Sequence, residues 1–388
     1  MKKLILLFLF AGMLSCQHKT DPQNLLKETN ATINQIQQHL LPDKRDRYFE
    51  ISASYEANQL VLKGRTDFEV LKDSVLNALK TKKINVIDSI KLLPDPIFKN
   101  KKAITRLSVA NLRAKPKHSA ELVTQTLMGM PLTLLDKRNG FYLVKTPENY
   151  YAWIDAAGLK ILEDNDYKKA MQKNKIIITA LCGNALQEPN EHALPVSDYV
   201  MNDVFDLVNR FDDFAQIQYP DGRQAYINIE DYLNFDQFQS MNNFIEPADL
   251  IDLAKEFLGR PYLWGGTSSK GMDCSGFTKT VYAQFGFLLP RDASQQAKIG
   301  KAIQLEEDFS NLQPGDLLFF GRKEHGQNKI THVAIHINNG QIIHATGEVK
   351  IESLNPNDAD YNKYRHQSLL AARRVLSYYP QNLLSIYQ

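Results

Sequence analysis

Between residues 103 and 162 the chain is a train of short strand-like runs, each cut off by turn residues: Leu107–Leu112, Leu122–Leu127, Pro131–Leu135, Phe141–Lys145 and Tyr151–Ile154. Runs this short and this evenly spaced predict a small barrel or sandwich rather than an open sheet. Residues from about 168 to 243 repeat the pattern more loosely. There Ala215–Gln218, the turn Tyr219-Pro220-Asp221-Gly222 and Gln224–Ile227 echo the end of the first unit, with Asp221-Gly222 as a hairpin signal. The stretch Asn184–Pro195 fits that pattern poorly. Cys182, next to Ile176-Ile177-Ile178, reads as a buried small hydrophobe.

A chain of 388 residues favours two to four compact domains. With 46 basic and 44 acidic residues there is no basic excess to mark a nucleic-acid binder. Ahead of the barrel-like units, Leu25–Leu41 and Phe68–Leu79 carry apolar residues at helical spacing, while Tyr48–Ile51, Leu60–Leu62 and Ile84–Ile90 are strand-like. This is a small α+β module without recognisable chemistry, and Leu92-Leu93-Pro94-Asp95-Pro96 follows as a linker.

The first residues read as an export signal: Met1-Lys2-Lys3, an apolar run Leu4–Leu14, then small residues up to Cys16. The segment resembles a bacterial lipoprotein signal, although Met13 stands where that pattern usually has leucine. The resemblance implies lipidation of Cys16, a membrane anchor and, with Gln17 next, retention at the outer membrane facing the periplasm. An ordinary cleaved signal peptide is the alternative. No later stretch is long and apolar enough to span a bilayer. If Cys16 is acylated, Cys182 and Cys274 remain, enough for one disulfide or for a free reactive thiol.

The last unit carries the chemistry. Ala248–Leu258 is helical and ends at Gly259. In Met272-Asp273-Cys274-Ser275-Gly276-Phe277, Asp273 is a good helix N-cap, and Phe277, Val281 and Phe285 then recur every four residues. Cys274 is therefore expected in the first turn of a half-buried helix, where unpaired N–H groups and a neighbouring imidazolium would lower its pKa and favour the nucleophilic thiolate. The base must come from elsewhere. Ile330–Ile337 reads as a strand, Asn338-Asn339-Gly340 as a turn and Gln341–Ala345 as a second strand. A two-residue loop would put His332 and His344 on opposite faces. A three-residue loop with Gly340 left-handed pairs Ile337 with Gln341 and brings both histidines to one face as diagonal neighbours. The three-residue loop is expected, because a base needs a third group to orient it. His336 shares that face but lies some 13 Å from His332 at about 3.3 Å per residue, and reads as a partly exposed surface histidine.

Four ordered blocks in this unit resemble the NlpC-type cell-wall peptidases: Tyr262-x-Trp264-Gly265-Gly266, Asp273-Cys274-Ser275-Gly276, Leu312-x-Pro314-Gly315-Asp316-Leu317 and Thr331-His332-Val333. The earlier stretch Ser108–Arg113, with Pro116, Gln125, Gly129 and the ending Ala152-Trp153-Ile154, resembles the bacterial SH3-like module. The resemblance implies a papain-like α+β catalytic domain behind two SH3-like barrels, divided as signal 1–16, N-terminal module 17–100, barrels 101–163 and 164–245, and peptidase 246–388. It implies Cys274 as nucleophile, His332 as base and His344 as third polar group, with the Cys274 N–H and the Tyr262 side chain near the oxyanion. It implies no metal or organic cofactor.

The paired barrels look like the γ-D-glutamyl-L-diamino acid endopeptidases that act on free wall peptides, in which the first barrel closes one end of the cleft. Residues matching the binding positions of that group are Glu121, Tyr150, Asp273, Ser275, Asp292 and Ser294, with Tyr151 competing for the place of Tyr150. A free L-Ala amino group is an ammonium that must be balanced when buried, and Glu121 and Asp292 are the acids available for it. The partner implied is therefore a peptidoglycan stem peptide, L-Ala-γ-D-Glu-diamino acid. The alternatives are an endopeptidase on intact, glycan-attached stems and a non-catalytic wall-binding lipoprotein. One departure from the family pattern is a long loop expected over Arg322–Lys329.

Overall fold

The computed structural model describes residues 21–241, 245–378 and 382–387. Met1–Cys16, and with it Cys16, lies outside the described residues. The chain divides into two compact units at Leu93/Pro94.

In the first unit, helix α1 (Pro22–Leu40) opens with Asp21 accepting from Gln23 N and proline in the first turn, the two devices that start a helix without loose N–H groups. Strands β1 (Phe49–Glu56) and β2 (Gln59–Thr66) form a hairpin around Ala57 and Asn58, both at positive φ. Helix α2 (Glu69–Thr81) crosses to β3 (Ile87–Leu92), which pairs parallel to β2. Ile33, Leu62, Leu71, Val75 and Leu79 are the buried centre. Among the described residues no helix is long and apolar enough to cross a membrane.

The second unit begins with two sheets of seven strands each. The first contains β4 (Lys101–Thr105), β5 (Val109–Arg113), β6 (Leu122–Leu127), β7 (Pro131–Arg138), β8 (Phe141–Lys145), β9 (Tyr151–Asp155) and β10 (Leu159–Glu163), in the order β10-β4-β7-β8-β9-β5-β6. After helix α3 (Asp164–Met171) the second contains β11 (Lys175–Ile178), β12 (Cys182–Leu186), β13 (Pro195–Val200), β14 (Val204–Arg210), β15 (Phe214–Gln218), β16 (Gln224–Asn228) and β17 (Tyr232–Asn234). Its order, β13-β12-β16-β15-β14-β11-β17, is that of the first sheet strand for strand. The looser run is thus a second copy of one fold. Cys182 is exposed rather than buried. It opens β12 on the outward side of the pleat, and the neighbouring Ile176–Ile178 strand fills the core by itself.

The last part follows helix α4 (Phe235–Met241) and helix α5 (Pro247–Lys255). A short hairpin of β18 (Thr267–Ser268) and β19 (Gly271–Met272) leads into helix α6 (Cys274–Ala283), and helix α7 (Ala293–Gln296) follows. The sheet beyond them holds β20 (Lys301–Ile303), β21 (Leu317–Glu324), β22 (Gln327–His336), β23 (Gln341–Thr346) and β24 (Glu348–Ser353). After helix α8 (Lys363–Ser368), β25 (Leu369–Arg374) completes the order β20-β25-β21-β22-β23-β24. Phe277 and Val281 of α6 pack with Val333, Ile335 and Ile343 of the sheet in one fully buried cluster. The segment Arg322–Lys329 is a hairpin extension rather than a loop. Arg322 pairs with Lys329 and Glu324 with Gln327, around a turn of His325 and Gly326 at φ 48° and 78°.

Candidate active site

Asp273 sets the start of α6. Its Oδ1 accepts from Gly276 N at 2.8 Å and its Oδ2 from Gly265 N at 3.0 Å. The same carboxylate receives Arg291 Nη1 at 3.1 Å and Nη2 at 2.5 Å. Ser275 Oγ donates to Asp273 at 3.2 Å and accepts from Arg291 Nη1 at 3.0 Å. Asp273 and Ser275, expected as substrate-binding positions, are 7% and 4% exposed as residues, and their side chains are committed to this frame. The glycines of the two motifs have a steric reason: a Cβ on Gly276 would meet Gly266 O at 2.0 Å, and one on Gly265 would meet Leu122 O of the first barrel at 2.4 Å.

The histidines meet because of the turn. Ile337 N donates to Gln341 O at 2.8 Å, which makes the loop three residues, with Gly340 at φ 80°. His332 Nε2 and His344 Nδ1 are then 2.7 Å apart, and His344 Nε2 is 3.0 Å from Glu352 Oε2. Pairing of β22 with β23 stops at Ile335 and Ile343. The Val333 N–H beyond it turns to the Cys274 sulfur, so the thiol lies against the peptide next to His332. His336 is buried, at 1% exposure, with Nδ1 on Gln313 O at 3.0 Å, and is not the surface histidine expected.

Glu352 was not legible as a site residue, and it fixes the protons of the chain. Burial would raise its pKa, but hydrogen bonds from His344 and Lys350 outweigh that and bring it to about 2. As a carboxylate it only accepts, so His344 Nε2 carries the hydrogen and His344 Nδ1 is bare. His332 must then donate through Nε2, which leaves its Nδ1 as the basic nitrogen. The signal for Glu352 is period-two alternation: Lys350 lies opposite His344, and Glu352 is two residues on, at diagonal range.

Charge at rest differs from the expected thiolate. Burial, then the Asp273 carboxylate, push the Cys274 thiol up to about 11, against the opposing effects of the Val333 N–H and Arg291. Burial, then Arg365 and His344, hold His332 well below the ordinary histidine value. The resting pair is therefore a neutral thiol beside a neutral imidazole. Burial, followed by Cys274 and Asp273, raises the Tyr262 phenol to about 12, so it remains an O–H donor near the cysteine.

The first barrel closes one flank of this site. Thr267 N and Oγ1 donate to Gln125 Oε1 and O at 2.9 and 3.1 Å. Arg291, 1% exposed, donates through Nε to Thr124 Oγ1 at 2.9 Å. Lys279 of α6 pairs with Glu148 at 3.3 Å. Trp264, quoted in the motif but given no role, is 63% exposed and donates from Nε1 to Glu121 Oε1 at 2.9 Å. Burial alone would lower the Arg291 pKa, but Asp273, then Asp292 and Tyr150, outweigh it, so Asp292 and Tyr150 lie near Arg291 on this flank. Tyr151 instead lies in β9 opposite Lys145. Ser294, in the α7 turn after Asp292, is half-buried. Among the described residues no group of three or more His, Cys, Asp or Glu side chains is arranged to hold a metal ion.

A cysteine at a helix start, a histidine relay on a facing hairpin and a barrel against one flank define the class of a papain-like cysteine peptidase. Residues 259–373 match the NlpC/P60 family and residues 108–160 the bacterial SH3 domain. A γ-D-glutamyl-L-lysine dipeptidyl-peptidase of Bacillus cereus is 32% identical over 58% of this chain and 67% of its own length. Dipeptidyl-peptidase 6 of Lysinibacillus sphaericus is 27% identical over 68% of this chain and 94% of its own. The crystal structure of an NlpC/P60 family protein from Bacillus cereus covers 71% of this chain and 99% of its own, with TM-score 0.60 and 27% identity. The chain belongs to the NlpC/P60 family of cysteine peptidases, and its activity is that of a cell-wall peptidase.

Proposed function

We propose that the protein hydrolyses the γ-D-Glu–diamino acid bond of peptidoglycan-derived peptides whose L-Ala amino group is free, in turnover of wall fragments. What supports this reading is the barrel flank: Glu121 is fixed there by Trp264, Asp292 and Tyr150 act on Arg291 of the same flank, and the N-terminal end of a bound peptide is proposed to stop against it. An ammonium there meets carboxylates, whereas a stem joined to glycan meets a wall.

Cys274 Sγ loses its proton to His332 Nδ1 as it attacks the γ-carbonyl. The S–C bond forms while the carbonyl π pair moves to oxygen, in reach of the first N–H groups of α6 and the Tyr262 hydroxyl. Donors aimed at such an oxyanion are worth several kcal/mol, on the order of 3 each. Collapse expels the diamino acid amine, which takes the proton from His332. Water then attacks the thioester, gives a proton to His332 and releases L-Ala-D-Glu, and the thiolate recovers its proton. Glu352 and His344 hold the His332 tautomer throughout.

Mass spectrometry of L-Ala-γ-D-Glu-diaminopimelate digests tests the reaction. The wild type should yield L-Ala-D-Glu and free diaminopimelate, and Cys274→Ala neither. Products from the Cys274→Ala protein, or a cut elsewhere in the peptide, would refute the reading. The chain is also proposed to be exported and held in the periplasm by lipid on Cys16. Mass spectrometry of the mature N-terminus should find an acylated Cys16, and an unmodified N-terminus would sink the anchor.

A further inference from the structure

Arg365, on α8, approaches the site from the side of Phe320 and His332. Helix α8 is fixed at its start by Asn362, which accepts from Arg365 N at 2.9 Å and donates to Glu352 Oε2 at 2.7 Å. The helix that carries Arg365 is thus tied to the histidine relay. The guanidinium carbon lies 5.7 Å from the centre of the Phe320 ring and 5.4 Å from that of Tyr364. Phe320 in turn is 5.8 Å from His332, centre to centre. Ring contacts use the flat side of a guanidinium and leave its N–H edge open. Among the described residues that edge meets no carboxylate within ion-pair distance and no hydrogen-bond acceptor.

The other cations named at the site are paired. Asp273 holds Arg291, and Glu352 holds Lys350 at 2.8 Å. Arg365 is the half-buried cation left over. Tyr262 is influenced electrostatically by both Arg291, which Asp273 neutralises, and Arg365, whose edge is open. The Glu352 carboxylate offsets part of the Arg365 charge without touching it, which leaves the guanidinium edge for an anion that arrives with the substrate.

We propose that Arg365 is a specificity residue that binds the carboxylate of the diamino acid on the leaving side of the scissile bond. This rests on the peptidase reading above. The barrel flank takes the amino end, the attacked carbonyl lies at Cys274, and the next residue of the peptide runs toward α8. A planar guanidinium with a free edge suits a carboxylate held by two parallel hydrogen bonds.

The test compares L-Ala-γ-D-Glu-L-Lys with its C-terminal amide, using wild type, Arg365→Gln and Arg365→Lys, with Tm measured for each. The wild type should favour the free acid by roughly tenfold in kcat/KM, through KM above all. Arg365→Gln should erase the preference by losing the acid and leaving the amide almost unchanged, while Arg365→Lys keeps part of it. An unchanged preference in Arg365→Gln, or equal losses on both peptides, would overturn the assignment. Absence of cleavage by the wild type of both these peptides and of L-Ala-γ-D-Glu-diaminopimelate would bring down the proposed function itself, and this inference with it.

Discussion

Strand β6 of the first barrel and strand β13 of the second hold the corresponding edge of their two sheets, yet they face different tasks. Around β6, Glu121, Thr124 and Gln125 all bond to the loop or turn that frames Cys274. Along β13, Ser197 bonds Tyr219 of its own barrel at 2.7 Å, and Asp198 takes Ser108 of the first barrel at 2.7 Å and Lys270 of the peptidase part. The turn after β13 braces the assembly: Asp203 Oδ1 accepts from Met128 N at 3.0 Å, and Asn202 Nδ2 donates to Thr280 O at 3.1 Å. An edge strand offers side chains and unpaired backbone to whatever packs on it. One copy has been given to the cleft and the other to holding that copy in place.

This division can be broken by substitution. The largest expected effect is the control that both barrels serve: Cys274→Ala, with unchanged Tm, or His332→Ala, with Tm lowered by the hydrogen bond lost to His344, should reduce peptide turnover by at least ~10³-fold, since no other group can replace nucleophile or base. Residual activity within tenfold of wild type would mean that the site lies elsewhere. Next, Arg291→Met leaves the Asp273 carboxylate buried and uncompensated and cuts the link to Thr124. It should cost about 3–5 kcal/mol in denaturant unfolding, and a cost under about 1 kcal/mol would show that barrel and peptidase are not joined through this pair. The two barrels then separate cleanly. Glu121→Gln should lower kcat/KM for free-amine peptides by about tenfold to a hundredfold through KM, with Tm unmoved. Asp203→Ala should lower stability by about 2 kcal/mol with KM unmoved. A reversal of those two outcomes would reverse the roles given to the barrels.

A smaller effect follows from charge. His332, His336 and His344 are all held below the ordinary histidine value, with burial the leading cause in each. The unfolded chain takes up these protons as pH falls through about 6.5, and the native state does not, so stability present above that pH is lost below it. Tm should therefore be lower at pH 5 than at pH 7.5, and kcat/KM should hold to below pH 6. A resting thiol also predicts that iodoacetamide inactivation keeps rising with pH beyond 8. A plateau between pH 5 and 8 would instead reveal a preformed ion pair.

Local rules made much of this legible. The N-cap at Asp273, the four-residue period after it and the left-handed Gly340 place Cys274 and the two histidines from short stretches of chain. What escaped is set by distant packing. Arg291, Trp264 and Glu352 meet their partners across 143 residues in one case and only after the sheet has formed in another. The charge of Cys274 escaped for the same reason, because a helix start argues for a thiolate while burial and the neighbouring carboxylate argue more strongly against it. Arg322–Lys329, expected as a loop, is a hairpin because His325-Gly326 supplies a tight turn that lets its charged residues pair as strands.

The central claim is that the barrel flank admits a free amino end and excludes a blocked one. Its most direct measurement is kcat/KM for L-Ala-γ-D-Glu-diaminopimelate against the N-acetylated peptide. The account predicts a preference for the free amine of about a hundredfold or more, two steps of roughly 1.4 kcal/mol, which Glu121→Gln diminishes. Equal rates on the two peptides, or faster cleavage of the acetylated one, would contradict it.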